Sequence, residues 1–305
     1  AYGGEGAWTV SKSTGPALRS TPRGGVVDGA LVAVWLSRFS LVVWTKFAAD
    51  QTTLAPPISV GSAITAKPPA FVSSPASGRL FHLADDDGFK EGVYSPTAAW
   101  DDAVTPVPAP APAITGKSEP AAALVGSSYV LAFTGEDTSL AVQAQSSGAW
   151  GAPVKIDGAQ AFAGLPPAMT SLGAGPGDLL LVYVGTDLIL HWLTRQDQIW
   201  GEPALVDTSA IPDGPPAIAP MSRGRAMLVW KAVSGAPFYS VYDPSKTPVW
   251  SVPAAPFPGM PKLKSPPAIS TGQCASDATM TYVDEAGNVS LALYATGKWS
   301  GPHPV

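Results

Sequence analysis

Residues 166–203 read PPAMTSLGAGPGDLLLVYVGTDLILHWLTRQDQIWGEP, and this stretch decides the fold. It opens on Pro-Pro-Ala. Two runs rich in branched and aromatic residues follow, Leu179–Val184 and Leu188–Leu193, separated by the polar turn Gly-Thr-Asp. Such a pair of runs predicts a β-hairpin. The stretch closes on Trp200 with a Pro three residues later.

Both markers recur along the chain. The Ala of the Pro-Ala step falls at Ala17, Ala70, Ala121, Ala168, Ala217 and Ala268, at spacings of 53, 51, 47, 49 and 51. The Trp falls at Trp100, Trp150, Trp200, Trp250 and Trp299, and the last four have a Pro three residues on (Pro153, Pro203, Pro253, Pro302). Two independent markers thus share one period of about 50. The sixth copy repeats the hairpin as Met280–Val283, Asp-Glu-Ala-Gly and Asn288–Tyr294. One strand at the Pro-Ala step and one starting at the Trp bring each unit to four strands. Six units of four antiparallel strands predict an all-β, six-bladed β-propeller.

The units run over approximately 13–62, 63–112, 113–160, 161–210, 211–260 and 261–305, as one domain spanning 1–305. Trp8 precedes the first Pro-Ala step and Trp299 follows the last. Residues 1–12 are therefore expected to close the ring as a strand beside the C-terminal one, with residues 5–11 near 290–303. Aromatics near the end of the second strand (Trp35, Phe133, Tyr183, Trp230, Tyr282) and in the third (Trp44, Tyr94, Trp192, Tyr242, Tyr294) supply the columns by which blades bury each other's faces.

Composition agrees. The 305 residues hold 33 Pro and 31 Gly, which disfavours long helices, while 46% hydrophobic and 13% charged residues are unlike a disordered chain. Net charge is −5 with no basic run, so nucleic acid is not an expected partner. The longest Pro-free apolar stretch, Gly29 to Leu36, is far short of the roughly 18 residues of a membrane helix, so no membrane insertion is expected. The lone Cys274 excludes an internal disulfide, and His82, His191 and His303 are scattered. The sequence begins at Ala1, which fits removal of a signal peptide as well as trimming; the expectation is a secreted or extracellular protein.

The repeat resembles that of the bacterial PLL-type propeller lectins and, in blade number, is similar to the fungal fucose-binding propeller lectins. Pro167-Ala168, Pro267-Ala268, Ser147-Gly148-Ala149-Trp150 and Thr296-Gly297-Lys298-Trp299 carry the resemblance. It implies a propeller and a sugar-binding function. Two departures stand out. PLL-type lectins usually have seven blades and a Gly-Gly after the Trp segment, where this chain has six units and only Asp157-Gly158. The fungal lectins hold sugar with an Arg and a Glu in each repeat, whereas Arg19, Arg23, Arg38, Arg79, Arg195, Arg223 and Arg225 share no common repeat position. Fucose specificity is therefore not carried over by the resemblance.

Catalytic and metal patterns find little support. A sialidase, also a six-bladed propeller, clamps a carboxylate with three Arg, but its Ser-x-Asp-x-Gly-x-x-Trp turn has no clean copy here. Glycoside hydrolysis needs two placed carboxylates. Of the acidic clusters Asp85-Asp86-Asp87, Asp101-Asp102, Glu136-Asp137 and Asp284-Glu285, all but the second fall at the turn between second and third strands, where Asp is favoured by side-chain to backbone bonding. Asp85 and Asp87 would suit Ca²⁺ as hard ligands, but three consecutive Asp lack an alternating loop. His191, beside Trp192, reads as a structural histidine. Gly173–Gly177 lacks the helix and Lys of a phosphate loop, and Cys274 has no neighbouring His. No cofactor is expected.

Sugar binding asks less: an aromatic face for the C–H side of a pyranose and a few polar groups for its hydroxyls. The expected stacking faces are Trp100, Trp150, Trp200, Trp250 and Trp299, with Trp192, Tyr242 and Tyr294. The competing reading is that they pin the outer strand to the next blade. The expected function is a non-catalytic lectin with several shallow sites between blades, whose partners are glycans or glycoconjugates and whose weak sites gain by multiplicity, an oligomer being compatible. A sialidase-like hydrolase or lyase with one site at the central channel and a protein-interaction scaffold are the alternatives. A lectin should keep polar site residues across units, and an enzyme should break the repeat once. Units one and two diverge: Asp50 replaces the Trp, and Lys90-Glu91-Gly92 is expected to interrupt a third strand.

Overall fold

The computed structural model describes residues 23–28, 30–48, 58–65, 67–74, 76–84, 88–95, 99–100, 105–106, 116–173, 178–206, 210–271 and 278–304. They form six antiparallel sheets around a central channel, a six-bladed β-propeller with no helix among the described residues.

Each blade comes from one contiguous segment. Blade 1 is Arg23–Val27, Ala30–Leu36, Leu41–Ala48 and Ile58–Ile64. The first three strands of blade 2 are Ala70–Ser73, Gly78–Leu83 and Phe89–Ser95, those of blade 3 Ala121–Val125, Ser128–Thr134 and Ser139–Ser146, and those of blade 4 Ala168–Ser171, Leu179–Val184 and Leu190–Gln196. In these three blades the outer strand is split into Ala99–Trp100 and Thr105–Pro106, Ala149–Trp150 and Val154–Gln160, and Ile199–Trp200 and Ala204–Leu205. Pro153 and Pro203 stand in two of the gaps, where a residue without an N–H cannot continue the ladder. Blade 5 has three strands, Ala217–Pro220, Ala226–Lys231 and Pro237–Tyr242, its fourth reduced to the bridges Tyr242 to Trp250 and Tyr239 to Ala254. Blade 6 is Ala268–Thr271, Ala278–Val283, Val289–Ala295 and Lys298–Pro304. The closing strand expected of residues 1–12 lies outside the described residues, as do Asp85, Asp87 and Cys274.

The turn between second and third strands is the same device in every blade. A backbone N–H bonds to the carbonyl four residues on, as in Ser37 to Leu41, Ala84 to Gly88, Gly135 to Ser139, Gly185 to Ile189, Ala232 to Ala236 and Asp284 to Asn288. In the five blades where its fourth residue is described, that residue is left-handed, with φ of 61° at Ser40, 65° at Thr138, 64° at Leu188, 82° at Gly235 and 89° at Gly287. Glu136-Asp137 and Asp284-Glu285 sit in these turns; Asp137 accepts from the Lys155 ammonium and from Ser139, and Asp284 accepts from Asn288, which holds both carboxyls below their ordinary range.

The Ala of the Pro-Ala step begins the innermost strand in five blades, in one register: Ala70 opposite Phe81, Ala121 opposite Ala132, Ala168 opposite Val182, Ala217 opposite Val229 and Ala268 opposite Thr281. In blade 1 that place is held by Arg23, opposite Val34, six residues beyond the expected Ala17. Small residues are needed here because six inner strands converge on a channel of about 850 Å³. A Cβ on Gly25 of blade 1 would collide with Ser73 of blade 2. Among the described residues, Arg23 is the one ionisable residue lining the channel, and it meets Glu119 at 3.6 Å. Burial pushes the Glu119 carboxyl above its ordinary range, against the pull of Arg23 and Lys67.

The core sits between blades. Among the described residues five apolar clusters each join two neighbours, blades 1 and 2 through Trp44, Leu80 and Tyr94, and so on to blades 5 and 6 through Met227, Met280 and Tyr282. One face of a sheet therefore serves each junction, so alternate residues of one strand serve different neighbours.

Candidate functional site

Strand registers identify matching positions at successive junctions. On the face of blade 2 that meets blade 3, the second strand presents Arg79 and Phe81 and the third presents Glu91, which lies directly opposite Phe81. Arg79 is thus diagonal to Glu91, within reach of long side chains. Their side chains form an ion pair, with Arg79 28% and Glu91 7% exposed. The other Glu91 oxygen accepts a 2.9 Å hydrogen bond from Nε1 of Trp150 in blade 3. The Arg79 guanidinium carbon lies 5.3 Å from the ring centre of Tyr129, and Phe81 stands edge-on to Trp150 at 5.6 Å. Gln145, opposite Trp150 on the next strand, borders the same spot. Two blades thereby bring together a carboxylate, a guanidinium, an indole N–H and three aromatic rings.

The matching positions elsewhere are apolar or uncharged. In place of Arg79 and Glu91 stand Val32 and Trp44 in blade 1, Val130 and Val142 in blade 3, Leu180 and Trp192 in blade 4, Met227 and Tyr239 in blade 5, and Thr279 and Leu291 in blade 6. Blades join through these positions without ions. Replacing a buried ion pair by apolar residues is often neutral or stabilising, so packing alone does not account for the charged pair.

The sequence-selected aromatics divide by junction. Trp150 belongs to the constellation above. Trp200 is half-buried against the Val130 and Val142 side of blade 3. Trp250, 5% exposed, and Tyr242 pack with Trp192 between blades 4 and 5, at ring separations of 5.4–6.1 Å. Trp299 and Tyr294 pack with Tyr239 between blades 5 and 6. The indole N–H groups of Trp250 and Trp299 are buried without an acceptor, and that of Trp192 donates to Leu205 at 3.2 Å. Trp100 pairs with Tyr94, and its side chain lies outside the described residues. His191 stacks on Tyr183 and bonds Asp187 at 2.9 Å, a satisfied position.

Sequence reasoning missed Arg79 and Glu91 because it sought an Arg recurring in every unit. The Lys90-Glu91-Gly92 segment, expected to interrupt a strand, lies within the continuous strand Phe89–Ser95. A usable signal was present: two opposite charges twelve residues apart, at positions that are uncharged in every other unit.

No protein-family model and no curated protein matches the chain. Solved structures do. The fold defines a six-bladed propeller of the kind seen in fungal and bacterial lectins. A lectin from Aleuria aurantia, solved with Fucα1-6GlcNAc, superposes with a TM-score of 0.68 at 15% identity over 95% of this chain and 97% of that one. AofleA from Arthrobotrys oligospora gives 0.70 at 12% identity over 96% and 88%. The BP39L lectin from Burkholderia pseudomallei gives 0.74 at 15% identity over 91% and 81%.

Proposed function

We propose that this protein is a carbohydrate-binding lectin whose sugar hydroxyls bridge Arg79 and Glu91 at the junction of blades 2 and 3. The observation that carries this reading is the ionised pair Arg79 and Glu91, which has no counterpart at the matching positions of the other five blades, joined to an indole N–H and flanked by aromatic rings. A sugar hydroxyl both donates and accepts, so neighbouring hydroxyls can accept from the guanidinium and the Trp150 N–H while donating to the carboxylate. The aromatic rings then supply surface for the C–H side of the sugar.

The likeness to lectins solved with Fucα1-6GlcNAc and with α-methyl-L-fucoside supports the class and makes methyl α-L-fucoside the first probe. Glycans are the proposed partners, met outside the cell. Isothermal titration with this probe and a glycan array test the reading. Arg79→Ala and Glu91→Gln should each weaken binding at least about ten-fold, the worth of a hydrogen bond to a charged group. Wild-type protein that binds no neutral glycan, or folded variants that bind as tightly as wild type, would overturn it.

A further inference from the structure

The junction of blades 3 and 4 carries a cation without a counter-charge. Arg195 lies on the third strand of blade 4, opposite Leu179 and Trp200. Leu179, Leu181 and Leu193 share its face and pack on Val130, Val142 and Ile156 of blade 3, so Arg195 points into this junction. Its register position is that of Gln145 at the junction of blades 2 and 3, where the residue borders the Trp150 site. Arg195 therefore stands beside the corresponding indole.

The residue is only 9% exposed, and burial holds its guanidinium below the ordinary arginine range. Among the described residues it makes no ion pair and no side-chain hydrogen bond. Of the other described arginines, Arg79 has Glu91, Arg23 has Glu119 and Arg225 has Ser222, while Arg38 and Arg223 are exposed to solvent. Blade 3 offers Val130 and Val142 where Arg79 and Glu91 would stand, and the nearby acids in the chain, Asp197 and Glu202, are exposed and do not pair with it. The Arg195 nitrogens are not sealed from solvent, so an anion arriving from outside can reach them and gain charge-assisted hydrogen bonds that no group of the protein provides.

We propose that the junction of blades 3 and 4 is a second glycan site, which takes the carboxylate of an acidic sugar on Arg195 beside the half-buried ring of Trp200. This rests on the lectin reading but uses a different junction. A planar guanidinium matches a carboxylate through two parallel hydrogen bonds, and the indole gives the sugar ring a surface. The two junctions would then divide the work, hydroxyls at one and an acid at the other.

The experiment uses the full chain with methyl glycosides of glucuronic acid and N-acetylneuraminic acid, with methyl β-D-glucoside as the neutral control. Titrations are followed by calorimetry and by the indole N–H signals in ¹⁵N spectra, with Trp200 identified through Trp200→Phe. At least one acidic glycoside should bind and shift the Trp200 signal. Arg195→Gln should weaken that binding about ten-fold or more and leave methyl α-L-fucoside binding unchanged, with Arg195→Lys between. If Arg195→Gln does not fold, the Trp200 shift in wild type decides. Acidic glycosides that bind no better than the glucoside, a still Trp200 signal, or Arg195→Gln binding at wild-type strength would overturn the proposal. A 6-sulfated glucoside that binds more tightly than either acid would overturn the carboxylate assignment. Loss of the lectin reading shows separately, as absence of fucoside and other neutral glycan binding in the same titrations.

Discussion

The junctions of blades 2 and 3 and of blades 5 and 6 use the same four places for different ends. At the first, Arg79, Glu91, Tyr129 and Trp150 form a polar knot; at the second, Met227, Tyr239, Ala278 and Trp299 give an aromatic and sulfur-containing seam. Both keep the Trp. In one its N–H reaches a carboxylate, and in the other it is buried with no acceptor. The comparison separates two roles that the sequence merges: the Trp joins blades, and the charged pair is an addition that joining does not require.

The contrast can be broken first where packing is purest. Leu180, fully buried between blades 4 and 5, should cost about 2–5 kcal/mol of stability on Leu180→Ala, read by denaturant unfolding, with fucoside affinity unchanged in the folded protein. Next in size is Glu91→Leu, which strands Arg79 and the Trp150 N–H. A loss up to about 3 kcal/mol is expected, the low end for breaking a buried pair because Arg79 keeps partial exposure. The double change Arg79→Met with Glu91→Leu should recover most of that stability while abolishing fucoside binding. A double variant as unstable as Glu91→Leu would show that the pair is structural.

A third test runs the comparison backwards. Met227→Arg with Tyr239→Glu copies the pair onto blade 5 and offers the Trp299 N–H an acceptor, so calorimetric stoichiometry for the fucoside should rise by one per chain. No added site would mean that the rings around Arg79 matter as much as the charges. The smallest effect is in the indole nitrogens. Trp150→Phe and Trp250→Phe lose similar ring area, but only the first breaks a hydrogen bond to a carboxylate. Trp150→Phe should therefore be more destabilising by about 1–2 kcal/mol, measured as a difference in unfolding free energy.

Much of the fold was readable because its rules are local. Pro-Ala at each inner strand, the four-residue turn with its left-handed last residue and the Trp of the outer strand all act within one unit. Blade 1 escaped that reading, since Arg23 fills the place of the Ala and the marker at Ala17 lies six residues earlier. The aromatics of the third strand escaped it as well. Trp44 and Trp192 face the following blade, whereas Tyr94, Tyr242 and Tyr294 sit three residues further along and face the preceding one. A strand reverses face at every residue, so one column in the sequence became two in space.

The candidate site was less legible for the same reason. Arg79 and Glu91 are twelve residues apart, but Trp150 is 59 residues beyond Glu91, in the next unit. Arg195 likewise is one polar residue in a strand until blade 3 is seen to offer it no acid. The sequence by itself determined the six units, their hairpins and most of their turns, because a 50-residue pattern of turn formers and apolar residues encodes each sheet, whereas the outer strands came out split in blades 2 to 4 and reduced to bridges in blade 5. Only the tertiary structure decided which charges meet and which stand alone, because each of the two proposed sites is made by two blades and exists only when their faces are brought together.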